Sequence, residues 1–314
     1  MIDDDDDDDE PVFDEIEPDE IDIEAIDAFH LGGDRFAVSV QLSDQYDEVA
    51  RSYLLELTVG KQVKSKVLLQ IEDLILSHAS IAADWHVALE VGGVTHHLRN
   101  RRQKIGQGPE PFTNKLWHLD PETIFLYGEA GTTCLARDNE WIEIPPATPA
   151  FLRTMHGPSR NLIHVGGDDG ALLRLSGDAW TPIPLGFNRS ISALNVSASG
   201  EVFFGCEDGY CARYADEELT DIAGPGTQIF SICEFRGERY WCDDEYGLFI
   251  QKGSRLERFK PLGYIYNMHS TSDFLVTAAW RYVFIFDGER WAGVELGYDG
   301  DLFVRSVDMT RNFT

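Results

Sequence analysis

Polar residues recur along the sequence at a nearly constant interval, and their types are those used in proton transfer and ligand binding. The intervals between successive members are 40, 38, 39, 39, 35 and 39 residues. The set, called the channel ring here, comprises His78, His118, His156, Asn195, Glu234, His269 and Asp308. Imidazoles and carboxylates bind metals and exchange protons. In a circular arrangement of repeats they would face one axis, where they either bind a ligand or hydrogen-bond strand ends and water.

A second repeated set consists of carboxylates in short turns that contain no Lys or Arg. This set, called the acidic rim here, comprises Glu129, Asp168, Asp169, Glu207, Asp208, Asp243, Asp244 and Glu245. A single Asp in a turn is explained by hydrogen bonds to the local backbone. Doubled and tripled acids repel one another, so their concentration on one face favours steering or selection of a basic partner.

Linear signatures of catalysis are absent from the sequence. It contains no phosphate-binding Gly-Lys-Ser or Gly-Lys-Thr loop, no nucleophile elbow, no His-Glu-x-x-His pair and no dinucleotide-binding glycine pattern. We therefore predict that the protein is not an enzyme and that it holds neither cofactor nor metal. The five cysteines are an odd number and fall mostly on predicted strands, so we predict reduced packing residues.

The elements that must position both sets are β-hairpins. Their closing glycines are separated by 38, 39, 39 and 38 residues, at Gly93, Gly131, Gly170, Gly209 and Gly247. Strand-forming residues flank each turn, and a second turn follows, so that each unit holds four strands. Repeats of this length and composition predict an all-β fold, a seven-bladed β-propeller with four-stranded antiparallel blades.

The two ends of the chain carry incomplete units. The N-terminal unit, from Ala28 to Leu69, supplies three strands and lacks an inner strand, whereas Leu302 to Met309 reads as an inner strand without a blade. We predict that the C-terminal strand pairs with the N-terminal blade and closes the ring, because closure removes a free sheet edge.

The combination of a Gly-rich acidic turn, a strand containing Arg and a turn that leads to Trp, as in Gly177-Asp178-Ala179-Trp180, characterises the repeats. In this respect the chain resembles bacterial β-propellers of the sensor-regulator and photosystem-assembly-factor type. The resemblance covers most of residues 28 to 310 and implies the fold alone. The Gly-His and Trp-Asp signatures of WD repeats are absent.

Charge is distributed unevenly along the chain, whose formal net charge is −29. Residues 1 to 27 contain sixteen Asp or Glu and no Lys or Arg. Such a segment cannot bury enough apolar surface to fold, so we predict an acidic, largely disordered tail at residues 1–27 and a single propeller domain at 28–314. The tail either provides solubility or docks on the one dense basic region, which spans Lys61 to Lys104.

Function is predicted from these features together. The sequence shows no secretory signal and no apolar stretch of membrane-spanning length, which favours a cytoplasmic protein. We predict a binding protein, monomeric when unbound, that captures a basic protein partner on its acidic rim without contacting nucleic acid or membrane. Its most specific form is an immunity-type inhibitor of a toxin or nuclease. The alternatives are an enzyme or a small-ligand or metal sensor that uses the channel ring, and an assembly scaffold.

Overall fold

Seven antiparallel β-sheets make up the chain in the computed structural model, which describes residues 13, 16–44, 49–109, 113–137, 140–311 and 313. The first strand of each sheet contacts the first strand of the next sheet, and the first strand of the seventh contacts that of the first. The sheets are therefore blades around one axis. The predicted all-β, seven-bladed propeller is confirmed, with six blades of four strands and one of five.

The blades follow the chain in order, and within each the strands run from the axis outward. Blades 1 to 3 contain β1 (Asp22–Gly32), β2 (Arg35–Ser43), β3 (Ala50–Val59), β4 (Val63–Ile71), β5 (Ile75–Ala82), β6 (Trp85–Glu90), β7 (Val94–Arg99), β8 (Arg102–Gln107), β9 (Thr113–Asp120), β10 (Thr123–Gly128), β11 (Thr133–Arg137) and β12 (Glu140–Ile144). Blades 4 and 5 contain β13 (Leu152–His156), β14 (His164–Gly167), β15 (Leu172–Ser176), β16 (Ala179–Pro182), β17 (Ile191–Val196), β18 (Val202–Cys206), β19 (Cys211–Ala215) and β20 (Glu218–Ile222). Blades 6 and 7 contain β21 (Ile229–Phe235), β22 (Glu238–Asp243), β23 (Leu248–Lys252), β24 (Arg255–Lys260), β25 (Ile265–Ser270), β26 (Leu275–Ala279), β27 (Tyr282–Phe286), β28 (Trp291–Tyr298) and β29 (Leu302–Val307).

The antiparallel order gives the ring two distinct faces. The loops between second and third strands lie on the same face as the connections between blades, and we call this the hairpin face. Several of its loops contain a single 3₁₀ turn, at Val91–Gly93, Glu129–Gly131 and Asp168–Gly170. Two further 3₁₀ turns lie at Pro18–Glu20 and Arg160–Leu162.

Glycine at the end of each hairpin serves two purposes. Gly170 has a φ of +70°, a conformation that other residues adopt only with strain. A Cβ atom there would also lie 2.3 Å from the carbonyl oxygen of Phe187, in the connection to the next blade. The Gly170 N–H donates to the carbonyl of Arg189 in the same connection (3.0 Å). The recurring glycine therefore lets each connection pack directly on the preceding hairpin.

Closure of the ring differs from the prediction. β29 pairs with β28 as the fifth and outermost strand of blade 7, in a register that runs from Gly293 opposite Val307 to Tyr298 opposite Leu302. Blade 1 is complete without it, because β1 supplies its inner strand and pairs with β2. The prediction that the C-terminal strand completes the N-terminal blade is therefore wrong.

The predicted boundary at residue 27 is also wrong. β1 begins at Asp22, and Ile21, Ile23 and Ala25 are buried against blade 7. Their alternation with charged residues is the pattern of a half-buried strand. Phe13 is buried in the same cluster, whereas the aspartate run at residues 3–9 lies outside the described residues.

Candidate functional site

A cavity of about 890 Å³ occupies the axis of the propeller. Its wall is formed by the inner strands, and it extends from residues near the hairpin face, such as Arg153, to residues at the opposite end, such as Thr271. Both polar and aromatic side chains line it. This cavity is the candidate ligand site.

The structure places six members of the channel ring around this cavity, namely His78, His118, His156, Asn195, Glu234 and His269. Asp308 is not among them. It follows β29 on the outside of blade 7, where it is exposed and accepts hydrogen bonds from the backbone N–H (3.0 Å) and hydroxyl (2.8 Å) of Thr310. Its inclusion was wrong, because β29 is an outermost strand.

A β-bulge near the start of every inner strand sets which residues face the cavity. The pairing register shifts at this point in all seven blades. The bulged residues of blades 2 to 7 line the cavity, and they are Leu76, Asn114, Arg153, Ser192, Phe230 and Tyr266. A bulge re-aims side chains locally. Because a bulge leaves no periodic signature, sequence spacing alone could not show which residue of each strand would point inward.

The residue after the bulge joins neighbouring blades. The Ser77 hydroxyl accepts the backbone N–H of Leu116 in the next blade (3.3 Å), and the Ser231 hydroxyl accepts that of Met268 (3.3 Å). These N–H groups belong to the free edge of an inner strand and need acceptors outside the sheet, and that of Met268 also donates to the side chain of Asn267 (2.9 Å). Part of the repeated polar pattern therefore satisfies backbone groups between blades.

Asp27 makes the most hydrogen bonds of these residues. The sequence analysis placed it at the end of the acidic tail. One carboxylate oxygen accepts the backbone N–H of His78 (3.0 Å) and the hydroxyl of Ser77 (3.2 Å), both in blade 2. The other accepts the side-chain amide of Asn267 in blade 7. Burial by itself raises the pKa of Asp27, but the neighbouring His269, His78 and Lys115 outweigh burial and hold it well below its ordinary value. A buried carboxylate thus fastens blade 1 to both neighbours.

Three of the imidazoles around the cavity, those of His78, His118 and His156, have lowered pKa values and are therefore neutral near pH 7. Burial lowers the pKa of His78 to about 3, and burial together with the charge of His269 lowers that of His118 to about 4. His78 Nδ1 lies 2.8 Å from the Ser39 hydroxyl, whereas its Nε2 atom is buried and has no hydrogen-bond partner among the described residues. A buried polar atom without a partner is costly, so this atom marks a place for a water or a ligand atom.

His156 lies between blades 4 and 5. Its Nδ1 atom accepts the backbone N–H of Val196 (2.9 Å), so this nitrogen carries no proton. Burial, together with the charge of Arg239, lowers the pKa of His156 to about 4. Arg239 in turn donates to the side chains of Asn195 (3.1 Å) and Glu234 (3.2 Å) and lies 3.4 Å from the centre of the Phe203 ring. His78, His156, Asn195 and Glu234, four of the six channel-ring residues at the cavity, are therefore already engaged in internal hydrogen bonds.

Phe29 narrows the cavity on the blade 1 side. Its ring stacks on His269 at a centroid distance of 3.8 Å and meets His78 edge-on at 4.7 Å. The described residues contain no group of three or more His, Cys, Asp or Glu side chains that could hold a metal ion. The cavity wall offers a ligand hydrogen bonds with neutral imidazoles, aromatic stacking, and contact with Lys115, which also lines the cavity.

The acidic rim lies on the hairpin face in blades 3 to 6, but it is partly neutralised. Arg153 binds the carboxylates of Asp168 and Glu207, and Arg189 binds that of Asp208. Arg153 lies on inner strand β13 and Arg189 in the connection that precedes inner strand β17, so neither is in a hairpin turn. Exposed carboxylates lie in the hairpin loops of three consecutive blades, 4 to 6, at Asp169, Glu207, Asp208 and Glu245, whereas Glu129 in blade 3 is partly buried.

Two members of the rim cannot meet a partner freely. Asp243 is fully buried and accepts hydrogen bonds from the backbone N–H groups of Tyr246 (2.7 Å) and Gly247 (2.6 Å) and from the Thr227 hydroxyl (2.6 Å). Burial raises the pKa of Asp243 despite these bonds. Asp244 is half-buried. Asp243 therefore shapes its own turn, as the simpler interpretation of turn acids predicts.

Aromatic side chains adjoin the acidic rim on the same face. Tyr264 is 53% exposed and Trp280 is 39% exposed, and their rings contact each other edge-on at 5.6 Å. Both residues have positive φ angles, 54° and 40°, which are rare for bulky side chains and cost conformational energy. Tyr246, in the neighbouring blade, is 36% exposed. We call Tyr246, Tyr264 and Trp280 the aromatic patch; the sequence analysis missed it because its members share no repeat position.

Comparisons with known proteins identify the fold but no closer relationship. No protein family matches the sequence, and no curated protein matches it. Solved structures that are similar include the WD40 β-propeller domain of Doa1, with a TM-score of 0.68 and 11% identity over 90% of this chain and 92% of that one. YCF48 bound to D1 peptide gives a TM-score of 0.63 and 10% identity over 92% and 97%. The computationally designed protein Ika8 gives 0.63 and 12% over 90% and 96%.

These similarities confirm the expected resemblance to β-propellers at the level of the fold. At identities of 10 to 12% they carry no residue from one protein to another. Within the described part of the chain, no helix has the length and apolar character needed to cross a bilayer.

Proposed function

We propose that this protein is a non-catalytic β-propeller that captures a basic protein partner on its hairpin face. The observation that carries the proposal is the juxtaposition on one face of exposed carboxylates in blades 4 to 6 with the aromatic patch of blades 6 and 7. Tyr and Trp dominate the binding energy of protein interfaces, and surrounding charges steer the partner and select it. The propeller fold itself is consistent with an interaction or scaffold role.

The backbone conformation of the patch supports this assignment. Tyr264 and Trp280 keep large side chains where glycine would be unstrained, and they expose them instead of burying them. The carbonyl oxygen of Trp280 accepts the backbone N–H of Ala25 in blade 1 (2.5 Å), which fixes the hairpin in place. Strain retained in an exposed and rigidly held position is typical of functional sites. A preorganised surface loses little entropy on binding.

The narrowest form of the proposal is an immunity-type inhibitor in the cytoplasm, whose partner is a cationic toxin or nuclease. The net charge of −29 supports it, because an acidic surface can occupy a site that normally accepts a polyanion. A scaffold that binds a basic subunit uses the same surface. The identity of the captured protein distinguishes the two forms.

A comparison of baits in extracts of the native host tests the proposal. Wild-type protein should retain one or a few basic proteins, and the Tyr264→Ala/Trp280→Ala variant should retain at least tenfold less, because anchor side chains contribute most of the affinity. Asp169→Lys/Glu245→Lys should weaken capture and reduce its dependence on salt. Leu219→Ala serves as the matched control, because Leu219 is an exposed apolar side chain on the outermost strand of blade 5 and lies outside the hairpin loops. Retention unaffected by either double variant would remove the hairpin face from consideration.

The alternative small-ligand function rests on a separate observation, the axial cavity with the unpartnered Nε2 atom of His78. A ligand there would hydrogen-bond neutral imidazoles and place an anionic group near Lys115. Native mass spectrometry of protein purified from its host should then show a bound small molecule that is lost in Lys115→Ala and His118→Ala. An enzyme or metal sensor makes the further demand of turnover or bound metal, measured by elemental analysis. Spectra that match the bare chain mass would exclude this alternative.

A further inference from the structure

The Lys and Arg residues divide into those with an acidic partner and those without one. Eleven of the 26 form ion pairs with Asp or Glu among the described residues, and two of these, Arg35 and Arg51, lie on the middle strands of blade 1. Six cations on the outer strands and turns of blades 1 and 2 form none within the described chain. They are Lys61, Lys64, Lys66, Arg101, Arg102 and Lys104, and we call them the basic patch.

The topology places this patch at one edge of the molecule. Lys64 and Lys66 lie on β4 and Lys104 on β8, the outermost strands of adjacent blades. Lys61 and Arg101 lie in the turns that lead into these strands, on the face opposite the hairpin face. Two exposed apolar side chains, Val67 (51%) and Ile105 (61%), belong to the same strands. A cationic surface with exposed apolar side chains attracts an anionic occupant. In a protein of net charge −29, acidic segments of the same chain are available for this role.

The chain itself contains such an occupant. Asp3 through Asp9 form an unbroken run of carboxylates, and the chain enters the described structure at Phe13. Phe13 is buried, with its ring 5.8 Å from that of Tyr298 and beneath the guanidinium of Arg51 at 4.6 Å. Phe13 therefore anchors the chain at the junction of blades 7 and 1, and the aspartate run precedes this anchor in the sequence.

The distances permit contact. An extended chain covers at most about 3.3 Å per residue, so residues 9 to 3 can reach from about 13 to about 33 Å from Phe13. On β4, Lys66 lies opposite Glu56 of β3 and Lys64 lies opposite Thr58. Glu56 is about 13 Å and Thr58 about 20 Å along β3 from Ser52, the neighbour of Arg51. The reach of the run therefore covers the Lys64 and Lys66 positions of blade 1.

We propose that the aspartate run Asp3–Asp9 binds in cis to the basic patch and shields it from other polyanions. Tethering gives the run a local concentration on the order of millimolar, so weak individual ion pairs are sufficient. The patch is thus a binding site for an acidic peptide, occupied by the chain's own N-terminal segment. This inference is independent of the partner proposed for the hairpin face.

Carbodiimide cross-linking of the full chain tests the contact, because the reagent joins carboxylates to lysines that touch them. The protein has seven lysines, of which Lys61, Lys64, Lys66 and Lys104 belong to the patch and Lys115, Lys252 and Lys260 do not. Peptide mass spectrometry of the monomer should place at least fivefold more cross-links from residues 3–9 on the first group than on the second. An even distribution, or no cross-links, would overturn the proposal. In a mixture of ¹⁵N-labelled and unlabelled protein, links found only between chains would overturn cis binding.

Heparin binding supplies a second, independent measurement. Removal of residues 1–10 should strengthen heparin binding by about tenfold at 0.1 M salt, because the competing segment is gone. The Lys64→Glu/Lys66→Glu variant should abolish that gain, whereas Arg137→Glu/Arg174→Glu, which reverses two exposed cations on blades 3 and 4, should preserve it. Equal heparin affinity with and without residues 1–10 would overturn the shielding role.

Discussion

The channel and the hairpin face are built from the same seven repeats, yet they use polar residues in opposite ways. In the channel, Asp27, Ser77 and His156 accept backbone N–H groups from neighbouring blades, and Asp27 and Ser77 are shielded from water. On the hairpin face, Asp169 and Glu245 are exposed. A repeated polar position therefore has no single meaning. Burial decides whether its substitution affects the stability of the ring or the binding of a partner.

The largest expected difference in stability is between the variants with Asp27 and with Asp169 replaced. Asp27→Ala should lower the free energy of unfolding by about 3 kcal/mol, because it leaves donors from two neighbouring blades unpaired in the interior. Asp169→Ala should change it by less than about 0.5 kcal/mol. Urea denaturation at pH 7.5 measures both. Equal effects of the two substitutions would contradict the contrast between the channel and the face.

Acid should destabilise the protein through the channel. His156 has a pKa of about 4 in the folded chain against an ordinary value of 6.5, so the unfolded chain takes up a proton first as the pH falls. Between pH 7 and pH 5 this costs about 2 kcal/mol of stability for each such histidine, His78 and His118 included. Denaturation midpoints across this range measure the slope.

His156→Asn sharpens this test. The amide oxygen of Asn can still accept the Val196 N–H, but the side chain does not titrate. Between pH 7 and pH 5 the free energy of unfolding of the variant should therefore fall by about 2 kcal/mol less than that of the wild type. At pH 7.5 the substitution should change this free energy by a smaller amount. A slope identical to that of the wild type would show that His156 does not resist protonation in the folded protein.

Within the acidic rim, substitution of Asp243 should affect stability and not partner binding, as expected for a buried channel residue. Asp243→Ala should lower the free energy of unfolding by about 1 to 2 kcal/mol, because three hydrogen bonds within its turn are lost. Partner affinity should remain unchanged. Glu245→Ala, two residues later and exposed, should give the reverse pattern. Calorimetric titration with the captured partner and thermal denaturation together measure the two effects.

The smallest expected effect concerns backbone strain in the aromatic patch. At Tyr264, with a φ of 54°, the Gly variant should be more stable than the Ala variant by about 1 kcal/mol, because only glycine adopts this conformation without cost. Both variants lose the ring and should bind the partner equally weakly. A Gly variant no more stable than the Ala variant would argue against strain at this site.

The repeats could be predicted from the sequence because their signals are local. The glycines at 93, 131, 170, 209 and 247 mark positive-φ turns, and all five have positive φ in the structure. Six members of the channel ring reach one cavity for the same reason, since constant spacing places equivalent strands at equivalent radii. Whether they bind a ligand stays a prediction.

Other features escaped prediction because they depend on contacts between distant segments. Asp27 was assigned to a charged tail, although the alternation of Ile21, Ile23 and Ala25 was a signal for a strand. The final strand was assigned to blade 1 because its sequence suits an inner strand, and only pairing with β28 shows that it is an outer one. Arg153, on an inner strand, and Arg189, in a connection between blades, neutralise part of the rim although they lie outside the turns that hold the acids.

The number of repeats, their strands and the turns that join them follow from the amino-acid order alone, because backbone conformation and hydrophobic alternation act over a few residues. How the ring closes, which acids are buried and which aromatic side chains meet on a common face emerge only when the chain is folded. Those outcomes depend on interactions among residues hundreds of positions apart, such as the bond between Asp27 and Asn267. No local pattern encodes a contact between the first blade and the last.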